Sequence, residues 1–113
     1  MSLGSEQERF TLMMAHFIIR VYRLGYKVRE GDAFRDPRLH GAIGVKKGYG
    51  HKNSCHKLKL ARDLNLTKDA VYLYGDAAEA AHNELHDVWD SMGGAKRIKH
   101  DLNHYSIEWQ GMR

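Results

Sequence analysis

The sequence predicts an α+β fold in which an antiparallel sheet is flanked by helices. Two segments carry apolar residues at helical spacing, and several shorter segments alternate between apolar and polar residues as strands do. Their order is helix, strands, helix, strand, with no internal repeat, and strands grouped in this way favour an α+β arrangement. A chain of 113 residues is long enough for one core and too short for two, so residues 1–113 are predicted to form a single domain.

The first helix is predicted to begin near Ser5, because Ser5 followed by Glu8 forms a capping-box pattern. It is predicted to end at Gly25, since glycine is a typical residue just past a helix end. Between them, apolar residues recur at helical spacing: Phe10, Met13, Phe17, Val21 and Leu24. Residues 26–36 are predicted to form a short strand and turn that Pro37 closes.

Residues 40–53 contain four glycines and three lysines with little apolar periodicity, which predicts a loop. The stretch NSCHKLKLARDLNL, residues 53–66, then alternates like a strand. Its apolar face is made of leucines: Leu58, Leu60, Leu64 and Leu66. Asp63 is therefore predicted to point away from this leucine face. After a turn at residues 67–70, VYLY is predicted to form a short hairpin partner.

The second helix is predicted from the capping pattern of Asp76 and Glu79 and from an apolar stripe that ends at Gly93-Gly94. The stripe consists of Ala81, Leu85, Val88, Trp89 and Met92. The segment HNELH within it, residues 82–86, places two histidines four residues apart, a spacing that can bind metal on a helix. The favoured interpretation is an exposed polar face of the helix, because the acid is not where the zinc motif H-E-x-x-H has it.

The closing segment HYSIEW, residues 104–109, alternates again. Tyr105, Ile107 and Trp109 fall on one side, so His104 is predicted to face away from the apolar side, as Asp63 does. The chain has a single cysteine, Cys55, which excludes an internal disulfide and a four-cysteine zinc site. Cys55 is predicted to be a small buried residue rather than a nucleophile paired with its neighbour in the sequence.

A metal site built from this chain must therefore use histidine and carboxylate. Zinc in hydrolases is typically held by three protein ligands of these kinds, with one position left for water. His56, Asp63 and His104 can supply such a set, and Asp101, three residues before His104, can serve as a general base. Spacing alone does not single out these residues, because 8 histidines and 14 acidic residues allow many other sets of three ligands.

Two motifs strengthen the zinc interpretation. Ser54-Cys55-His56 followed by Asp63 resembles the S-x-H-x6-D signature of the zinc D-alanyl-D-alanine peptidase superfamily, which includes vancomycin-resistance dipeptidases and phage L-alanyl-D-glutamate endolysins. Residues 101–104, DLNH, resemble its second signature, acid-x-x-His. The flanking stretches GDAFRDPRLHG, GVKKGYGHKNS and NHYSIEW are similar to small phage and prophage members, so the resemblance covers most of the chain.

The resemblance implies a hedgehog/DD-peptidase-like fold and zinc (Zn2+) bound by His56, Asp63 and His104. It implies Asp101 as the general base. It further implies that Arg35, in AFRDP, binds substrate or stabilises developing negative charge, a task that suits a guanidinium; pairing with a neighbouring aspartate is the alternative role. Ser54 is implied as a hydroxyl that contacts the substrate or supports a metal ligand, with a simple turn residue as the alternative.

The superfamily often has glycine where this chain has Lys59 and glutamate where it has Asp101. Because aspartate is the shorter acid, Glu108 is a second candidate for the base. The substrate implied is the stem peptide of bacterial peptidoglycan. Cleavage of D-Ala-D-Ala or of L-Ala-D-Glu needs the same zinc chemistry, and both stay open, as do a phage, prophage or host role and the oligomeric state.

The formal net charge of +4 allows a different class of function, a noncatalytic basic module that binds cell wall or nucleic acid. The lysines and arginines are interleaved with acids rather than clustered, so no nucleic-acid partner is expected. A degenerate peptidase with structural zinc is a further alternative. No export signal and no run of about 20 apolar residues is visible, which predicts no membrane span and a cytoplasmic protein as synthesised, with release to the wall by a phage-type route.

Overall fold

The computed structural model describes residues 2–31 and 55–113. In chain order they form helix α1 (Leu3–Arg23), strand β1 (Tyr26–Glu30), a 3-10 helix (Cys55–Leu58), strands β2 (Ala61–Lys68) and β3 (Val71–Tyr72), helix α2 (Gly75–Ser91) and strand β4 (His104–Ser106). Two helices with an antiparallel sheet confirm the predicted α+β class. The predicted loop at residues 40–53 lies outside the described residues. No helix within the described ranges is long and apolar enough to cross a membrane.

Helix α1 begins earlier than predicted and ends where predicted. Ser2, not Ser5, is the N-cap, because its side chain accepts a hydrogen bond from the Ser5 N–H at 3.1 Å. At the other end Gly25 has φ 97, a conformation that glycine adopts without steric cost. The side chains that α1 buries are Glu6, Phe10, Met14, Phe17 and Val21. Met14 is fully buried in the core, and the predicted Met13 is partly buried and packs against it.

Helix α2 also begins ahead of its predicted capping pattern. Its first residue is Gly75, and the side chain of the preceding Tyr74 makes no capping hydrogen bond. Asp76 lies within the first turn, where a carboxylate interacts favourably with the helix dipole. The predicted end of this helix is confirmed, since α2 stops at Ser91 just before Gly93.

Strand β2 begins three residues later than the leucine alternation predicts. Lys59 has φ 58, which interrupts extended backbone, and the residues before it coil into the 3-10 helix. From Ala61 onwards the prediction holds: Leu64 is buried on the core side, while Asp63 is partly exposed on the other side. The late start matters because it separates His56 from β2 by a turn.

The sheet is organised around β2, which pairs antiparallel with the other three strands. β1 pairs with residues 64–68 of β2, β4 with residues 61–63 and β3 with residues 67–68. The hairpin between β2 and β3 is confirmed. Its turn residues, Asp69 and Ala70, have φ 51 and 64, the pattern of a two-residue turn with positive φ at both positions.

The core lies between the two helices and the leucine face of β2. Phe17 is at its centre, with its ring centroid 5.1 Å from Trp89 of α2 and 5.0 Å from Tyr105 of β4. All three are fully buried. The Trp89 indole N–H also donates a hydrogen bond of 2.8 Å to the carbonyl of Ser106, so this ring fixes β4 against α2.

Substituting Gly94 with alanine is expected to destabilise this packing. A Cβ atom at residue 94 would lie 2.0 Å from Nε1 of Trp89, the atom that bonds Ser106. Because the indole is rigid and buried, overpacking of this kind costs about 1–3 kcal/mol or more. Chemical denaturation of Gly94→Ala against Gly4→Ala measures the loss. An unchanged unfolding midpoint for Gly94→Ala would show that the contact is not as close as the structure places it.

Candidate metal centre

Three separate elements bring His56, Asp63 and His104 together. Asp63 and His104 are directly opposite each other in the antiparallel pair of β2 and β4. Residues opposed in this way project to the same face with Cβ atoms about 5 Å apart. His56 reaches the same point from the 3-10 helix that precedes β2. Asp63 and His104, both predicted to face away from the apolar side of their strands, are therefore neighbours on the same face of the sheet.

The donor atoms converge closely. Nε2 of His56 lies 3.0 Å from Oδ1 of Asp63 and 3.1 Å from Nδ1 of His104. The third side of this triangle, from Nδ1 of His104 to Oδ1 of Asp63, is 3.5 Å. Ligands bonded to tetrahedral zinc at about 2.0–2.1 Å lie about 3.3–3.4 Å apart. The triangle therefore has the size that one metal ion requires.

The chemistry of these atoms also suits a cation. Two imidazole nitrogens and one carboxylate oxygen are the donors that zinc and related transition metals accept. His56 is fully buried, His104 is 4% exposed and the Asp63 side chain 14%. Burial alone raises the pKa of Asp63, but hydrogen bonds from His104 and His56, together with their charges, outweigh it and lower the pKa to about 2. Asp63 is thus a carboxylate at neutral pH.

The polar contacts of the His104 ring within the described residues are all made at its Nδ1 atom. Its Nε2 atom is buried and has no hydrogen-bond partner within the described parts of the chain. The polar atoms near the ring, on His56, Asp63 and Asp101, all face Nδ1. Among the described residues, the polar side chains that position this ring are therefore those of His56, Asp63 and Asp101.

Asp101 lies at the edge of the triangle rather than within it. Its Oδ2 atom is 3.9 Å from Nδ1 of His104, and its side chain is 47% exposed. A turn fixes its backbone, because its N–H donates to the carbonyl of Ile98 at 3.0 Å and its carbonyl accepts from the N–H of His104 at 3.2 Å. Asp101 therefore lies next to the candidate metal ligands, and its side chain is accessible to solvent.

The remaining predicted residues are placed differently. Arg35 and Ser54 lie outside the described residues, and their roles stay predictions. Glu108, the second candidate for the base, is exposed beyond the end of β4 and is not part of the triangle. Cys55 is fully buried, as predicted, and its thiol contacts the carbonyl of Ile107 at 3.6 Å. Burial raises the pKa of Cys55 to about 12, so the thiol is not a nucleophile at neutral pH.

The prediction that His82 and His86 form an exposed polar face is wrong. Both are buried, at 5% and 0% exposure. The reason is Tyr105, whose hydroxyl lies 2.7 Å from Nδ1 of His82 and whose ring stacks on His86 at 4.3 Å. Nε2 of His86 also lies 2.8 Å from the carbonyl of Leu102. The two histidines therefore support the segment that carries His104 instead of binding metal with each other.

Two further residues, Gly31 and Asn65, lie near the site and were not predicted to belong to it. The N–H of Gly31 donates to the carbonyl of Asp63 at 2.8 Å, and a Cβ at residue 31 would lie 3.2 Å from that of Asp63. Asn65, two residues after Asp63, accepts a hydrogen bond of 3.1 Å from the side chain of Asn103. The strand alternation that identified Asp63 also pointed to Asn65, since both lie on one face of β2.

Acid is expected to destabilise the protein through His82. Burial, reinforced by the charge of His86, lowers the pKa of His82 from 6.5 to about 4. The unfolded chain then binds a proton that the folded chain does not, so stability is present above pH 6.5 and is lost as pH falls towards 4. The loss from this one group between pH 7 and 5 is about 2 kcal/mol.

Denaturant unfolding at pH 7 and 5, with a chelator present in every sample, measures this loss. His82→Gln is expected to show a smaller difference between the two pH values than the unsubstituted protein. An equal pH difference in both proteins would contradict the assignment.

Comparison of this chain with protein-family models, curated proteins and solved structures gave no match. These comparisons therefore identify no superfamily for this chain.

Proposed function

We propose that this protein is a zinc-dependent peptidase of the DD-peptidase type that hydrolyses a peptide bond in the stem peptide of bacterial peptidoglycan. One observation carries the proposal: the ligands of two separate signatures meet at one point. His56 and His104 are 48 residues apart in the sequence, yet their ring nitrogens lie 3.1 Å apart. Accidental motif matches have no reason to converge in this way.

The backbone at Lys59 gives further support. Many members of the superfamily have glycine at this position of the first signature. Lys59 has φ 58, the left-handed conformation that glycine adopts most readily. Lys59 therefore adopts the backbone conformation that glycine favours, although its side chain departs from the signature.

The described residues divide the work of hydrolysis between them. His56, Asp63 and His104 would hold the zinc ion, and zinc, when bound, polarises a carbonyl group and makes water acidic enough to react near neutral pH. Asp101, half exposed beside His104, accepts the proton of the attacking water. It then donates this proton to the nitrogen of the leaving amine as the carbon–nitrogen bond breaks.

Asp101 is suited to this task by its placement. Its carboxylate lies 3.9 Å from Nδ1 of His104 but is not one of the three converging donor atoms, so its proton exchange does not require a metal ligand to leave. The proposed oxyanion partner, Arg35, and the proposed substrate contact, Ser54, are carried over from the resemblance. Either D-Ala-D-Ala or L-Ala-D-Glu fits this chemistry as the bond that is cut.

Mass spectrometry of peptidoglycan digests tests the proposal. Purified peptidoglycan from several wall chemotypes is incubated with zinc-loaded protein, with chelator-treated protein and with Asp101→Asn. New fragments are expected with the zinc-loaded protein alone, and their masses identify the bond. Stoichiometric zinc without any cleavage would contradict the peptidase and favour a structural zinc site, while the absence of zinc would favour a noncatalytic binding module.

A further inference from the structure

A cavity adjoins the candidate metal centre at a gap in the sheet. The N–H of Leu64 donates to Asn103, just before β4, and the carbonyl of Leu66 accepts from Leu73, just after β3. Successive residues of a strand direct their backbone groups to opposite edges, so residues two apart, such as Leu64 and Leu66, use the same edge. β3 and β4 therefore share one edge of β2, with Asn65 between them. A cavity of about 310 Å³ opens at this gap.

The cavity is within reach of a substrate bound at the metal centre. Asn65 and Asp63 lie on the same face of β2, about 7 Å apart along the strand. Across the gap, the side chain of Asn103 bonds Asn65 at 3.1 Å, and Asn103 directly precedes the ligand His104. Both asparagines line the cavity. A peptide cleaved at the metal centre would therefore place a neighbouring group there.

A largely buried histidine, His82, lines the cavity and has one ring nitrogen that no described residue bonds. His82 lines the cavity and is 95% buried, since only 5% of it is exposed. The Tyr105 hydroxyl lies 2.7 Å from its Nδ1 and has no other acceptor among the described residues, so it donates to Nδ1 and leaves the ring proton on Nε2. Nε2, on the opposite side of the ring from Tyr105, makes no hydrogen bond within the described part of the chain.

The electrostatic surroundings favour a negatively charged ligand over a cation. The N-terminal end of α2 borders the cavity through its N-cap, Tyr74, and through Ala78 and Glu79. A helix N-terminus is the positive end of the helix dipole, and no Tyr74 side-chain bond caps it. Because burial lowers the pKa of His82 to about 4, its ring is a neutral donor at pH 7. Glu79 is the one opposing charge among the residues that line this cavity, and it is exposed at the rim.

We propose that this cavity binds the free carboxylate of the substrate residue that supplies the leaving amine, with Nε2–H of His82 as the main donor. The inference rests on the proposed peptidase function. In both candidate bonds, the residue that supplies the leaving amine has a free carboxylate. In D-Ala-D-Ala the leaving residue has a terminal carboxylate. In the stem peptide D-Glu is linked onward through its γ-carboxyl group, which leaves its α-carboxylate free. One carboxylate subsite therefore serves either reaction.

Binding of two small probes tests the subsite without any turnover. N-acetyl-D-alanine carries the carboxylate, and N-acetyl-D-alaninamide differs from it only in lacking that charge. Both are titrated into the metal-free full chain and followed by amide chemical shifts and by the imidazole 15N shift of His82. We expect the carboxylate to shift His82 and the first turn of α2, with a Kd at least about tenfold lower than that of the amide, which corresponds to about 1.4 kcal/mol.

Variants with opposite expected effects make the test independent of folding. His82→Phe is expected to weaken binding of the carboxylate, although it also removes a buried bond to Tyr105. Glu79→Gln is expected to tighten binding several-fold, because it removes the opposing charge from an exposed position. Glu8→Gln, the same change at an exposed site on α1, is expected to leave the Kd unchanged.

Equal binding of the two probes, or weaker binding by Glu79→Gln, would overturn the subsite. These outcomes are separate from the fate of the peptidase. Cleavage of peptidoglycan with no preference between the probes contradicts the subsite alone. Preference for the carboxylate without any cleavage supports the subsite as an anion site and contradicts the peptidase.

Discussion

Replacing His104 with alanine is expected to abolish stoichiometric zinc binding. Nδ1 of His104 lies 3.1 Å from the donor atom of His56 and 3.5 Å from that of Asp63, so its loss removes one corner of the ligand triangle. Changes that only disturb the support of a metal ligand cost about 10–100-fold in affinity. Loss of the ligand itself should therefore weaken zinc binding by about 100-fold or more, measured by competition with a chromophoric chelator.

The control for this prediction is a histidine that lies away from the site. His16 on α1 is exposed, and His16→Ala should bind zinc as the unsubstituted protein does. Because His104 is buried, the fold of His104→Ala is checked by circular dichroism, and Asp63→Asn provides a second, nearly isosteric change in the same triangle. A folded His104→Ala that retains full zinc affinity would exclude His104 as a ligand.

Replacing Asp101 with asparagine is expected to remove activity while leaving zinc in place. The side chain is 47% exposed and is not one of the three candidate ligands, so zinc should still bind without its charge. Asparagine keeps the shape but cannot accept the proton of water. General base catalysis is typically worth about 10²–10⁴ in rate, and kcat on stem peptides should fall within that range.

Glu108→Gln distinguishes the two candidate bases. It makes the same change of charge at an exposed residue beyond the end of β4, and it should leave kcat within about twofold of the starting value. If Glu108→Gln lost activity and Asp101→Asn kept it, the roles assigned to the two acids would have to be exchanged.

Strand alternation accounts for the parts of the site that could be predicted from sequence. It placed Asp63 and His104 on the faces of their strands that point away from the apolar side, and antiparallel pairing then set them opposite each other. Alternation alone could not place His56 at the site, because the segment that forms the 3-10 helix was predicted to be part of the strand. Only the resemblance to the first signature pointed to His56. The backbone change at Lys59 has no signal in a pattern of apolar and polar residues.

The histidines of α2 show why the rest could not be predicted. His82 and His86 read as polar positions, yet they are buried because each offers a polar group to a partner in distant sequence. That partner segment, Leu102 to Tyr105, becomes adjacent only when the whole domain is folded. Helix caps failed for a simpler reason: Ser2 and Ser5 are both good caps, and their local patterns do not decide between them.

An anomalous-diffraction crystal structure at the zinc absorption edge shows directly whether His56, Asp63 and His104 hold zinc. One zinc peak is expected, bonded to Nε2 of His56, Oδ1 of Asp63 and Nδ1 of His104 at about 2.0–2.2 Å. A zinc peak held by other residues, or none at this triangle in crystals that contain zinc, would contradict it.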